Sequence, residues 1–258
     1  MKIPGLFYSE NLDVHTHSPY SACCEDITFE NLKSKAQEKN IIYAVTDHST
    51  HLYFPKELAW SMLREDFKEL WNKHRETGRQ TIEKYIETVR NAGALTGIEL
   101  DIYSDGTLVF EEDYFRELDI VLGGIHFLPS LESKMPAKNI VSEFKRLTAA
   151  ILSSGKIDVL THPLRILAYN RVPFEDDLIC WVVENCKECG VAVEINSHYK
   201  FPDIDLKMTA EANRNRVRVV KASDAHRLSE FGNFSYHEDI LSRCAETVTE
   251  KKQLLKAG

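Results

Sequence analysis

Residues 12–17 read LDVHTH, two histidines one residue apart at the end of an apolar, β-prone run near the start of the chain. Side chains at i and i+2 of an extended segment point to the same side. Both imidazoles therefore face one way, in a chelating arrangement, and the fold hangs on what ends the other strands.

Six further apolar runs resemble this one: IIYAVTDH (41–48), ALTGIELDI (94–102), DIVLGGIH (119–126), DVLTHP (158–163), VAVEIN (191–196) and VRVVKASDAH (217–226). With NLDVHTH (11–17) they make seven predicted strands. Amphipathic stretches near 28–39, 57–92, 139–154, 175–189, 204–213 and 236–255 alternate with them. Strands separated by helices imply right-handed crossovers and a parallel α/β sheet, either a closed barrel or a long open sheet. The 258 residues contain no low-complexity segment, fixed-period repeat or long linker, so a single domain over 1–258 is expected.

The metal-capable side chains gather at the C-terminal ends of these strands. His15 and His17 end the first, His48 the second, His126 the fourth, His162 the fifth, and Asp224 with His226 the seventh, while Glu99 lies near the end of the third. Six of the ten histidines occupy such ends, and in a parallel barrel these positions converge on the rim that carries the chemistry. One such histidine reads as an ordinary rim residue, Glu99 alone as a salt-bridge partner and Asp224 alone as a helix cap. Together, six imidazoles and two carboxylates are too costly to crowd and desolvate without a cation. The mixed nitrogen and oxygen set suits Zn²⁺, Mn²⁺ or Fe²⁺, and its size implies two or three ions with Glu99 as a bridge.

The ordered series DVHTH, TDH, GIE, GGIH, THP and SDAH resembles the polymerase and histidinol phosphatase (PHP) family, over residues 13 to 226. That resemblance implies a distorted (β/α)7 barrel with parallel strands and a trinuclear metal centre at the C-terminal rim. It assigns His15, His17, Glu99 and Asp224 to one ion, Glu99, His126 and His162 to a second, and His48 with His226 to a third. Many relatives add a ligand about six residues after HxH; here Cys23 stands in that place, either as a thiolate ligand or as a small packed residue.

Such a centre implies phosphoester hydrolysis by water that the metals activate. Neither GxSxG nor a P-loop offers a rival route. His226 or His48 are candidates to protonate the leaving oxygen, and Asp13 and Asp47 to orient imidazoles. Arg165, Arg227, Lys200 and His198 follow ligand strands on rim loops and are candidate phosphate contacts. His51 and His74 are expected in solvent. The loop after VAVEIN and the long helical stretch between TDH and GIE resemble the branch acting on L-histidinol phosphate, which becomes the expected small phosphorylated substrate. A nucleotide or short-oligonucleotide phosphatase is the alternative, with Tyr20, Tyr53, Phe54 and Tyr199 as candidate base platforms; a non-catalytic metal-binding domain is a further one.

Bulk properties narrow the partners. Forty acidic against 32 basic residues give a net charge of −8, which disfavours a stable nucleic-acid complex. The basic run of Arg214, Arg216, Arg218 and Lys221 reads as solvated surface. Cys186 and Cys189 form a lone CxxC on the apolar pattern of Leu178, Val182 and Val183, which predicts a buried helix face. MKIPGLFYSENLD lacks a signal-peptide core and no run is long enough to span a membrane, so a cytoplasmic location is expected.

Overall fold

A computed structural model describes residues 11–58, 61–64 and 67–245. Seven strands form one sheet in chain order: β1 (Leu12–Asp13), β2 (Ile42–Val45), β3 (Leu95–Leu100), β4 (Ile120–Gly123), β5 (Val159–Leu160), β6 (Ala192–Asn196) and β7 (Val219–Ala222). All six neighbouring pairs are parallel. A parallel bridge joins Thr16 to Ala225, where His17 N–H donates to the Ala225 carbonyl at 3.0 Å. The first and last strands thereby meet, and the sheet curls into a nearly closed (β/α)7 barrel. Asp13 fastens this seam by accepting from the backbone N–H of Ser223 (3.0 Å) and Gly232 (3.1 Å).

Helices cover the outside. They are α1 (Phe29–Lys39), α2 (Ser49–Tyr53), α3 (Phe67–Ala92), α4 (Pro129–Glu132), α5 (Ala137–Ser153), α6 (Arg165–Tyr169), α7 (Asp177–Cys189) and α8 (Pro202–Asn215), followed by α9 over 235–245. Their starts and stops are written locally. Thr28 and Asn31 exchange capping hydrogen bonds ahead of α1, and Asn40 ends it in the left-handed conformation at φ 52°. The expected helix at 236–255 agrees with α9 as far as residue 245, and 246–255 lie outside the described residues. Cys186 is buried on α7 and Cys189 is exposed, so only the first belongs to the apolar face.

Two apolar cores share the strands. Leu12, Val14, Ala44, Leu122, Val159 and Val220 plug the barrel interior, while Tyr43, Val45, Ile98, Leu100, Val121 and Val193 face the helices. The alternation that creates these two faces also builds much of the rim, although His15, His17 and His162 fall out of the inward parity of Leu12, Val14 and Val159. Continuing the inward parity past Ala44, Leu95, Leu122, Ala192 and Val220 brings His48, Glu99 with Asp101, His126, Glu194 with Asn196, and Asp224 to the mouth. The regular strands are shorter than the sequence runs because the backbone leaves the ladder where these polar residues begin.

Candidate metal centre

Glu99 stands at the middle of the rim. It is 1% exposed, and five imidazoles approach its carboxylate: His162 at 2.8 Å, His126 at 3.0 Å, His48 at 3.1 Å, His15 at 3.3 Å and His17 at 3.7 Å. Asp224 Oδ1 lies 3.0 Å from His17 Nε2 and 3.4 Å from His15 Nε2. His226 packs against His17 with ring centres 4.5 Å apart and the planes tilted by 46°, and Cys23 joins His17 and His226 in a group whose ligand atoms all lie within 4.8 Å. All nine sequence-predicted ligands thus come together.

Backbone strain and a missing side chain help to gather them. His162 and Asp224 adopt positive φ, 29° and 51°, a conformation that costs a non-glycine residue of order 1 kcal/mol and is retained where surrounding contacts enforce it. Gly124 precedes His126 because a Cβ there would stand 2.9 Å from His126 Cε1 and 3.0 Å from His162 Cε1.

Charge and desolvation oppose one another throughout. Burial raises the Glu99 carboxyl, but His48, His126 and His15 together hold it well below the usual range. Burial likewise opposes protonation of His15, yet Asp224, Glu99 and Glu194 hold its pKa well above normal. His48 is raised to about 10, with Glu99 and Asp101 overcoming burial. His162 falls to about 4, through burial and then the nearby Arg165 cation. Burial alone would push the Cys23 thiol up; the charge of His17 and hydrogen bonds from His17, His226 and His48 carry it far down instead. The site therefore attracts positive charge at its carboxylates and its thiol.

The donor set fits divalent ions. Ligand atoms bonded at about 2.05 Å to a tetrahedral ion stand about 3.3 Å apart. His15 Nε2, His17 Nε2, Glu99 Oε2 and Asp224 Oδ1 show separations of 3.3, 3.4, 3.7 and 3.0 Å. His15 Nε2, Glu99 Oε2 and His126 Nε2 are buried without a well-formed hydrogen bond, as expected of atoms arranged for a cation rather than for each other.

Two outer carboxylates, Glu194 and Asp101, orient the imidazoles. His15 Nδ1 lies 2.8 Å from Glu194 Oε1, whose other oxygen accepts from Thr161 Oγ1 and His162 N–H, both at 2.5 Å, and from Asn196 Nδ2 at 3.1 Å. His126 Nδ1 lies 2.8 Å from Asp101 Oδ1, while Asp101 Oδ2 accepts from Thr50 N–H at 2.9 Å. Each fixes a proton on Nδ1 and turns the Nε2 lone pair inward. The sequence offered Asp13 and Asp47 for this work. Asp13 is instead consumed by the barrel seam, and Asp47 accepts from Ser18 N–H and Oγ while standing 3.8 Å from His17 Nδ1.

The other candidates separate by position. Arg165 opens α6 beside His162, its guanidinium 5.0 Å from the Tyr199 ring centre, and lines a cleft with His162, Asn196 and Tyr199. His198 packs against His226, ring centres 4.3 Å apart and tilted by 30°, and pairs with Glu230 at 3.4 Å. Arg227 turns outward to Glu25 at 2.7 Å, and Lys200 lies over Tyr236 at 5.8 Å. Tyr53 and Phe54 are largely buried and Tyr20 packs edge-on against Tyr85; these three line a cleft with His51, whereas Tyr199 lines the cleft beside His162 and Arg165.

The expectation that His51 and His74 lie in solvent is corrected. His51 is 4% exposed, packed by α2 against His48 with its Nδ1 accepting from Ala22 N–H at 3.2 Å. His74 is half-buried beside Phe54. The HSTH spacing of residues 48–51 carried the signal, since residues three apart on a helical turn are neighbours.

A family model for the PHP domain matches residues 13–198. The DNA polymerase/3'-5' exonuclease PolX of Bacillus subtilis is 29% identical over 217 residues, covering 84% of this chain and 34% of that protein. A probable phosphatase of Shewanella putrefaciens is 28% identical over 187 residues, 72% of this chain and 62% of that protein. A probable phosphatase of Shewanella sediminis is 26% identical over 231 residues, 87% of this chain and 81% of the relative. The chain thus spans about a third of the polymerase and less than two thirds of the S. putrefaciens protein. Among solved structures, histidinol phosphate phosphatase from Lactococcus lactis, complexed with zinc, L-histidinol and phosphate, superimposes with a TM-score of 0.53. At 14% identity over 90% of this chain and 94% of that one, this is a likeness of fold.

Proposed function

The chain belongs to the PHP domain family, and from that premise we propose that it is a metal-dependent phosphoester hydrolase acting on a small phosphomonoester, with L-histidinol phosphate as the first substrate to test. The observation that carries the reading is Glu99, one buried carboxylate reached by five imidazoles. In this reading His15, His17, Glu99 and Asp224 hold one divalent ion, and Glu99, His126 and His162 a second. His48 and His226 belong to a third position, beside Cys23. The ions are zinc, manganese or iron. When bound, they supply an acidified water and neutralise phosphate oxygens.

The chain's own residues do the rest. Glu194 and Asp101 keep the ligand nitrogens in the required tautomer. Arg165, at the mouth beside His162, grips phosphate oxygens with its planar guanidinium. His226 donates Nδ1–H to the Asp224 carbonyl at 2.7 Å and directs Nε2 to the rim, where it either ligates or passes a proton to the leaving oxygen. His198, packed against its ring, sits where the leaving group would emerge.

The test is phosphate release by Zn²⁺- or Mn²⁺-loaded protein from L-histidinol phosphate, nucleoside monophosphates, a nucleoside bisphosphate and a short oligonucleotide. A large kcat/KM preference for histidinol phosphate is expected. Preference for nucleotides would keep the hydrolase and replace its substrate, and the likeness to the exonuclease-bearing polymerase justifies their inclusion. Full metal loading without hydrolysis of any ester would reject the enzyme altogether.

A further inference from the structure

We infer that Cys23 enters the metal centre as a thiolate ligand held in place by His51, which makes one corner of the site selective for a thiophilic ion, zinc before manganese. Cys23 is the pivot of two overlapping groups, His17–Cys23–His226 and Cys23–His48–His51, each with its ligand atoms within 4.8 Å of one another. Four imidazoles therefore surround one sulfur. A small packed residue would need apolar neighbours, and these are polar.

The surrounding hydrogen bonds give His51 a role different from that of the other three imidazoles. Ala22 N–H donates to His51 Nδ1 at 3.2 Å, so a neutral ring carries its proton on Nε2. Ligation through Nε2 would then require an imidazolate. A donated Nε2–H···S hydrogen bond requires nothing unusual and suits a metal-bound thiolate. His51 is thus a positioning residue, and His48 and His226 are the nitrogens that complete the corner with Cys23. His48 already turns Nδ1 towards Glu99 (3.1 Å) and Asp101 (3.5 Å), so its Nε2 points the other way.

The segment that carries the cysteine is preorganised. Ser21 N–H donates to the Ser18 carbonyl and Cys24 N–H to that of Ser21, while Ser21 Oγ accepts from His48 N–H at 3.2 Å. The turn after β1 is thereby tied to the end of β2, and Cys23 and His51 are presented to each other by adjacent backbone contacts. Thiolate donors favour zinc over the harder manganese, whereas the oxygen-rich set around Glu99 accommodates both.

The inference rests on the proposed metal centre, but its test does not rest on turnover. Cobalt(II) is titrated into chelator-stripped protein, and the near-ultraviolet thiolate-to-cobalt charge-transfer band is recorded together with ions bound per chain. The band is expected in the wild type and in Cys24→Ser, because the Cys24 sulfur is turned to the Ile27 carbonyl at 3.6 Å. It should vanish in Cys23→Ser with one ion fewer bound. In His51→Ala it should persist at longer wavelength, because the sulfur loses a hydrogen bond, with the last ion bound 10–100-fold more weakly. No band at full loading, or an unchanged ion count in Cys23→Ser, would overturn the ligand assignment. An unmoved band in His51→Ala, or its abolition with the circular dichroism spectrum intact, would overturn the positioning role. A protein with the band but without phosphatase activity would fail the proposed function and leave this inference standing.

Discussion

Replacing Glu194 with Gln changes one atom and should disable His15 as a ligand. Glu194 Oε2 receives three hydrogen bonds, from Thr161, His162 and Asn196, and Oε1 receives one, from His15 Nδ1. The amide oxygen of Gln must take the Oε2 position, because an NH2 there would face three donors. The NH2 group then confronts His15 Nδ1, which can satisfy it only by becoming an acceptor. The ring proton moves to Nε2, the nitrogen 3.3 Å from Glu99 and 3.4 Å from Asp224, and a protonated nitrogen cannot ligate. Loss of such an orienting partner costs about 10–100-fold in metal affinity, or about 1.4–2.8 kcal/mol. Competition with a chromophoric chelator would measure it, and nitrogen-15 NMR of the His15 ring would report the tautomer. Unchanged affinity, or a ring still protonated at Nδ1, would refute the reasoning.

Glu99→Gln should lower bound metal and turnover together, since one carboxylate serves two proposed ligand sets; full activity with normal metal content, by elemental analysis and phosphate release, would remove Glu99 from the centre. Arg165→Ala should raise KM by about tenfold or more with unchanged metal content, while Arg227→Ala, paired outward with Glu25, should raise it less; steady-state kinetics would rank the two. Asp205, which lines the cleft beside His162 and Arg165, supplies a pH test. Burial lifts its carboxyl to about 7 against the hydrogen bond from Tyr236, so the folded state binds this proton more tightly than the unfolded chain, whose carboxyl titrates near 4. Its stabilising contribution is complete below about pH 4 and lost as pH rises through 7. Asp205→Asn should flatten that part of the curve of urea midpoint against pH, and a wild-type-minus-variant difference independent of pH would contradict it.

The barrel and much of the candidate ligand ring were legible because both draw on short-range rules. Alternation along VAVEIN or GIELDI sorts side chains into two faces, and parallel strands carry their ends to one rim. LDVHTH announced a chelating pair, and its rings do face one centre, 5.1 Å apart. What stayed hidden depends on contacts between distant segments. Glu194 and Asp101 sit at inward positions of strands read as apolar, and an inward acid was itself a usable signal; their assignment to His15 and His126 needed the closed barrel. Of the two acids next to ligands in sequence, Asp47 does stand beside an imidazole, 3.8 Å from His17 Nδ1, whereas Asp13 is drawn to the barrel seam by Ser223 and Gly232, more than 200 residues away. The depth of His51 follows from the short helix α2 folding it under the turn that carries Cys23, and Arg227 was drawn away from the rim by Glu25, 202 residues earlier in the chain.

The most direct test of the account is phosphate release by chelator-stripped protein as Zn²⁺ or Mn²⁺ is returned in measured equivalents, with L-histidinol phosphate and a nucleoside monophosphate as substrates. Hydrolysis of at least one ester should be negligible at zero equivalents, climb as ions bind, and level off at two or three per chain. Hydrolysis by the stripped protein equal to that of the loaded one, or no hydrolysis at any loading, would contradict a metal centre built on Glu99 for phosphoester cleavage.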